Sequence, residues 1–224
     1  MTAAVVVARA GSRRLPRKAL LPFGGTTLVG HKVRELRRCL SIDRVYVGSD
    51  SDEILAEAEA HGAIPVLRDA YYADEDRCPA NEMIADMAGK VEGDLIVWAH
   101  PTNPLVKPST YDAAMATYRH AITSGYDSLV SVTEIRRHAW INGEPFNYDP
   151  WADVHPLASS LMPIQFQDGA IFIQPREAMQ QQRYFFGRRP YLFAVDAVEG
   201  WDVDTADDMR IACRLFEGEY VSCV

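Results

Sequence analysis

The chain has 224 residues, 48% hydrophobic and 24% charged, with a net charge of −8. That length supports one sizeable core, and the acidic balance excludes the broad basic surface that general binding to nucleic acid or anionic membrane requires. The four cysteines make no CxxC unit, no apolar stretch is long enough to cross a bilayer, and MTAAVVVARAG is too short an apolar run for a signal peptide; the expectation is a cytoplasmic domain without zinc or disulfides, and without a nucleic-acid or membrane partner.

AAVVVA (3–8) reads as a buried strand. TLVGHKVRELRRCL (27–40) has helical spacing, with Leu28, Val29, Val33, Leu36 and Leu40 as its apolar positions. RVYVGSD (44–50) is a second strand. SDEILAEAEAHGA (51–63) is a helix capped by Ser51, with acids in its first turn and Gly62 at its end. IPVLR (64–68) is a short strand, 80–91 a helix, 94–100 a buried strand, 110–125 a helix and 128–135 a strand.

Strands alternating with helices predict a mostly parallel sheet covered on both faces, a Rossmann-like three-layer α/β/α architecture in one domain. Residues 136–167 break the rhythm with Pro, His and aromatics, and NGEP suits the tip of a hairpin. This segment reads as an insertion, serving as a lid or a dimer contact. The pattern resumes with a strand at 169–175, a helix at 176–183, a strand at 192–198 and a closing helix at 205–218.

Two motifs carry chemistry. After the first strand, ARAGSRRLPRK gathers Arg13, Arg14, Arg17 and Lys18 within six residues, where an ordinary helix start would favour acids. The backbone of a Gly-Ser turn can cradle phosphate oxygens while Arg9, Ser12, Arg13 and Lys18 surround a triphosphate; a solvated basic loop is the plainer alternative. Near the other end, Asp202 and Asp204 in GWDVDTADDM alternate, so an extended backbone places both carboxylates on one face. They would hold a hard cation such as Mg²⁺, or Asp204 or Thr205 would cap the following helix. His100 follows a strand, Trp98 and Trp201 fit core packing, and Asp50 either orients the site or caps a helix.

RAGSRRLPRKALLPFGGTTLVGHKVREL resembles the nucleotide-binding opening of the CTP-dependent sugar-acid cytidylyltransferases, the acylneuraminate and CMP-Kdo synthetases among them. VYVGSDSDEI, HPTNPLVKP, QDGAIFI and DVDTADDMRIA resemble further family segments in the right order, so the likeness runs along nearly the whole chain. It implies a nucleotidyltransferase fold and transfer of CMP from CTP to a sialic-acid-like or Kdo-like sugar acid, with release of pyrophosphate and with Mg²⁺ as cofactor. Arg9, Arg13 and Lys18 would be catalytic, Asp202 and Asp204 would bind metal, and Ala8, Ala10, Gly11, Ser12, Arg68, His100 and Thr102 would line the nucleotide. Gln167 and Asp168 would meet the acceptor, a small anion, and 136–167 would build a homodimer. The chain departs from the family pattern at Ala10, Ala19, Arg68-Asp69, His100 and Asp168, positions close to base or sugar recognition. A phosphonate acceptor, or a nucleotide-sugar-binding protein without catalysis, remain as alternatives.

Overall fold

The computed structural model describes residues 1–218. Among these residues seven strands form the central sheet: β1 (Thr2–Val7), β2 (Arg44–Ser49), β3 (Ile64–Leu67), β4 (Leu95–Trp98), β5 (Ser128–Ile135), β6 (Ile164–Pro175) and β7 (Pro190–Val195), in the spatial order β7-β5-β6-β4-β1-β2-β3. Every neighbouring pair is parallel except the two made by β6, which runs antiparallel between β4 and β5. The sheet is thus mostly parallel, as expected. Its antiparallel strand begins at Ile164, so 164–167 belong to the sheet and not to the insertion.

The helices are α1 (Leu28–Arg37), α2 (Asp52–Ala60), α3 (Ala80–Lys90), α4 (Pro108–Thr123), α5 (Arg176–Gln182) and α6 (Ala206–Phe216), with one further turn at Ala70–Ala73. Period-2 alternation in β1 sends Ala4 and Val6 into a core shared with Val29, Val33 and Leu36 of α1 and Met115 of α4. Ala3 and Val5 face the opposite core, with Ile84 and Met87 of α3 and Met179 of α5. Three layers result because β1 is apolar on both faces.

Local chemistry sets the helix ends. The Thr27 hydroxyl accepts from the Gly30 amide at 3.0 Å, and Ser51 caps α2 as its sequence suggests. Gly62 ends that helix with φ 91°, a conformation glycine adopts without strain. At α6 the cap is Thr205, in a reciprocal box with Asp208. The cap therefore leaves Asp204 available for other partners.

Helix α1 stops at Arg37, three residues before Leu40, whose side chain is 95% exposed. The reason is a competing partner: Asp112 on α4 accepts from the amides of Leu40 and Ser41 at 3.1 and 2.9 Å, fixing them in a turn. In the insertion, Trp140–Ile141 pairs with Glu144–Pro145 across Asn142 and Gly143, both at positive φ, so the hairpin anticipated at NGEP forms.

The chain reverses its direction of travel across the sheet between β1 and β4. That switch point opens a crevice at the carboxyl ends of the two strands, where α/β sheets place their ligands. Leu36→Ala removes a fully buried side chain and should lower stability by about 2–5 kcal/mol in urea titration. Leu40→Ala should change it by less than about 0.5 kcal/mol. Equal losses would contradict the observed end of α1.

Candidate active site

A cavity of about 310 Å³ lies over the ends of β1 and β4, lined by Ala8, Arg9, Ser12, Arg13, Lys18, His100 and Thr102 among others. Seven of the residues singled out from the sequence thus converge from two distant segments. A second chamber of about 380 Å³ adjoins it, sharing Arg9 and His100 and adding Arg68, Tyr72, Met83 and Trp98. Ala10 and Gly11 sit exposed at the apex of the turn.

The turn is held from both sides. Asp50, at the end of β2, accepts from the Ala10 amide at 3.0 Å and so holds the turn, while Ser51 and not Asp50 caps α2. Arg17 adopts the left-handed conformation at φ 55°, unusual for a residue with a side chain and typical of backbone constrained for function. Immediately after it, the Lys18 ammonium donates to the Val203 carbonyl at 2.9 Å and to Asp204 Oδ1 at 3.0 Å. The cationic turn and the carboxylate motif are therefore one site.

Every cation of the turn has an acidic partner. Arg14 pairs with Asp204 at 2.6 Å, Arg9 with Glu75 at 2.7 Å, Arg17 with Glu53 at 2.5 Å, and Arg13 with Asp76. Glu75 and Asp76 belong to the loop after β3, DAYYADEDR, which the sequence did not mark as part of the site. Charge complementarity was its only available signal.

Asp202 stands differently. It lies at the rim of the crevice, takes a hydrogen bond from Thr102, and is pushed above the ordinary carboxylate range by desolvation, with the like charge of Asp204 adding to the effect. The Val203 amide donates to the Thr102 carbonyl at 2.7 Å, pinning this acidic segment against the loop after β4.

His100 donates from Nδ1 to the Gly169 carbonyl at 2.7 Å and packs edge-on against Phe172 and Phe185. Burial lowers its pKa, so the neutral ring presents Nε2 as an acceptor. Arg68 is 4% exposed, donates to the Tyr72 carbonyl and leaves its Nε without a partner, and burial lowers its pKa as well. Trp98 is core, as its strand position suggests, whereas Trp201 is half-buried beside Asp202. Arg77 is exposed, near the Tyr71 ring.

Asp168 does not reach into the crevice. Its carboxylate accepts from Ser131 at 2.5 Å, from Thr133 at 3.2 Å and from the Ala170 amide at 2.9 Å, closing a bulge in β6. Gln167 is exposed on the same strand, opposite Val132. Asn103, which the sequence did not single out, is fully buried and donates to the carbonyls of Asp168, Gly200 and Trp201 at 3.1, 3.3 and 3.4 Å. Behind it the Lys32 ammonium donates to the Asn103 carbonyl at 2.7 Å and to the Tyr111 hydroxyl at 2.8 Å.

A three-layer α/β/α sheet with a cationic turn and carboxylates at its switch point defines a nucleotidyltransferase-type fold. A family model described as cytidylyltransferase matches residues 3–194, and the chain belongs to that family. It is 27% identical to an N-acylneuraminate cytidylyltransferase of Streptococcus agalactiae over 95% of this chain and 52% of that protein. It is 26% identical to a CMP-N,N′-diacetyllegionaminic acid synthase of Legionella pneumophila over 96% and 95% of the two chains. The chain spans about half the length of the Streptococcus relatives. A CMP:2-keto-3-deoxy-manno-octonic acid synthetase solved with CTP shares the fold at a TM-score of 0.71 and 18% identity, covering 97% of this chain and 99% of that one.

Lys32 gives the buried network a pH signature. Burial pulls its pKa from 10.5 to about 7. Below pH 7 the folded and unfolded states both hold the proton and the full cost of the buried charge stands. Above it the folded state has released a proton that the unfolded state keeps, so stability rises with pH, by up to about 1.4 kcal/mol per unit. Lys32→Met should lack that rise between pH 7 and 9 in parallel denaturation series. Identical slopes would show that Lys32 does not titrate as a buried group.

Proposed function

We propose that this chain is a cytidylyltransferase acting from CTP on a small sugar acid of the sialic-acid or Kdo type, releasing pyrophosphate. The observation that carries this reading is the convergence of Arg9, Arg13, Arg14 and Lys18 with Asp202 and Asp204 on one crevice. The printed names of the relatives supply the nucleotide and the acceptor class.

In this reading the triphosphate takes the place of Glu75, Asp76 and Asp204 on the guanidinium and ammonium groups, exchanging exposed internal ion pairs for charge-assisted contacts to phosphate. Arg9, Arg13 and Lys18 neutralise charge that develops on the pyrophosphate oxygens as an acceptor oxygen attacks the α-phosphorus in line. Arg68 and the neutral face of His100 border the chamber that would receive the base.

The residues present suit Mg²⁺, which favours one or two carboxylates completed by phosphate oxygens and water. Asp202 is the first ligand, because its desolvated carboxylate gains most from a nearby cation. Asp204 would become available as a second ligand where phosphate replaces it on Lys18 and Arg14. When bound, the ion supplies electrostatic stabilisation of the transferring phosphoryl group. A homodimer built through 136–167 fits the exposure of Trp140, Phe146 and Trp151 on that insertion. Tyr148 instead packs inward against His138. A cytoplasmic setting fits the free thiols of Cys39, Cys78 and Cys213, while Cys223 lies outside the described residues. Among the described residues no helix is long and apolar enough to cross a membrane.

Pyrophosphate release on mixing with CTP, Mg²⁺ and a panel of sugar acids, phosphonates and neutral sugars tests the reading. Release with a sugar acid supports it, whereas release only with a phosphonate would reassign the acceptor. Asp202→Asn and Lys18→Ala should both fold, and each should raise the barrier by about 2–4 kcal/mol. High Mg²⁺ or Mn²⁺ should partly restore Asp202→Asn but not Lys18→Ala, because added metal cannot replace a cation placed by the turn. Near-normal turnover by Asp202→Asn would remove the metal role.

A further inference from the structure

A larger cavity, about 610 Å³, opens beside the crevice over the ends of β5 and β7, and Thr133, Ile135, Arg137, Gly200, Trp201 and Asp202 line it. It touches the phosphate cavity where Thr102 hydrogen-bonds Asp202. Thr102 lines the first space and Asp202 the second, so the two meet at that hydrogen bond, and the cationic turn lines the first only. In-line transfer needs such an arrangement, because the acceptor must approach opposite the departing pyrophosphate.

Arg137 distinguishes the second cavity. Its backbone is held: Asn147 donates to the Arg137 carbonyl and accepts from the Ala139 amide, both at 2.9 Å. Its guanidinium, among the described residues, has neither a carboxylate nor a carbonyl partner, whereas Arg9, Arg13, Arg14 and Lys18 are all paired. The neighbouring Arg136 donates to the Leu161 carbonyl at 2.9 Å and ties the two ends of the insertion together. Two acids of the wall are also engaged, Glu134 by Gln165 at 3.0 Å and Asp208 by the Thr205 cap at 2.8 Å. A fixed backbone that presents an unpaired guanidinium is suited to bidentate recognition of a carboxylate. Trp201, anchored through Nε1 to the Asp208 carbonyl at 3.2 Å, offers the half-buried flat surface beside it.

We propose that this cavity is the acceptor subsite, with Arg137 binding the carboxylate of a carboxylated sugar and Trp201 supporting its ring. The proposal rests on the cytidylyltransferase reading and sets Asp168 behind the cavity wall, where its carboxylate holds Thr133 and the β6 bulge.

The probes are N-acetylneuraminate, 3-deoxy-manno-octulosonate and, as a neutral ring, N-acetylmannosamine. Each is titrated with saturating CTP and Mg²⁺ and followed by pyrophosphate release and ligand-observed NMR. At least one acid should bind and the neutral sugar should bind far more weakly. Arg137→Gln should weaken the acid about ten- to a hundredfold, the loss expected for one charge-assisted pair. Arg137→Lys should recover part of it, and both variants should keep the wild-type thermal shift with CTP. Arg136→Gln should lower the melting temperature without selectively weakening the acid. Unchanged acid binding by Arg137→Gln, or a wild type that binds CTP but neither acid, overturns the subsite and leaves the nucleotide reading standing. A wild type that does not bind CTP overturns both.

Discussion

The Lys18–Asp204 ion pair joins the first loop of the chain to the segment before α6, and the site depends on that closure. Five cations fall between positions 9 and 18, and like charges so close repel unless a partner offsets each one. The fold supplies partners from three places: the start of α2, the acidic loop after β3, and the segment before α6. Most are exposed and individually weak. Lys18 is the exception, being largely covered, and its second bond to the Val203 carbonyl fixes the direction of the ammonium. A ligand with several negative charges can therefore displace the carboxylates, Asp204 included, while the bond to the Val203 carbonyl keeps the Lys18 ammonium directed into the crevice.

Behind this exchangeable outer layer lies a layer that is not exchangeable. Asn103 gathers three carbonyls from two segments, the β6 bulge and the two residues before Asp202, while Lys32, itself bonded to Tyr111, holds the Asn103 carbonyl from below. Backbone carbonyls turned inward at a strand end need donors, and the two N–H groups of one amide are shared among three of them. The acidic segment is thereby set at a fixed height above the sheet before any substrate arrives, which is the preorganisation that electrostatic catalysis relies on. The buried lysine lowers stability at neutral pH, and its cost is borne at the site's foundation.

Much of this was legible in the chain. Alternating strands and helices disclosed the layers, Ser51 and Gly62 marked the ends of α2, and the Gly-Ser turn with its cations located the crevice. Order along the chain could not disclose which strand of a mostly parallel sheet runs antiparallel, and the first four residues of β6 read as insertion. Family likeness places Asp168 at the acceptor, and only register shows that the bulge turns its carboxylate toward Ser131 and Thr133. Leu40 matched the helical period, but Asp112, more than seventy residues away, captured its amide. The acidic loop 69–79 likewise carries no motif, and its role follows from lying across the crevice from Arg9 and Arg13. In each case the missing information was a long-range contact.

The central claim is that the turn receives a cytidine triphosphate, and comparative thermal stabilisation by CTP, ATP, GTP and UTP with Mg²⁺ measures it directly. The account predicts the largest rise in melting temperature with CTP, shrinking as salt screens the phosphate contacts. No shift with any of the four would contradict phosphate binding at the turn, and equal shifts with all four would contradict selection of cytidine.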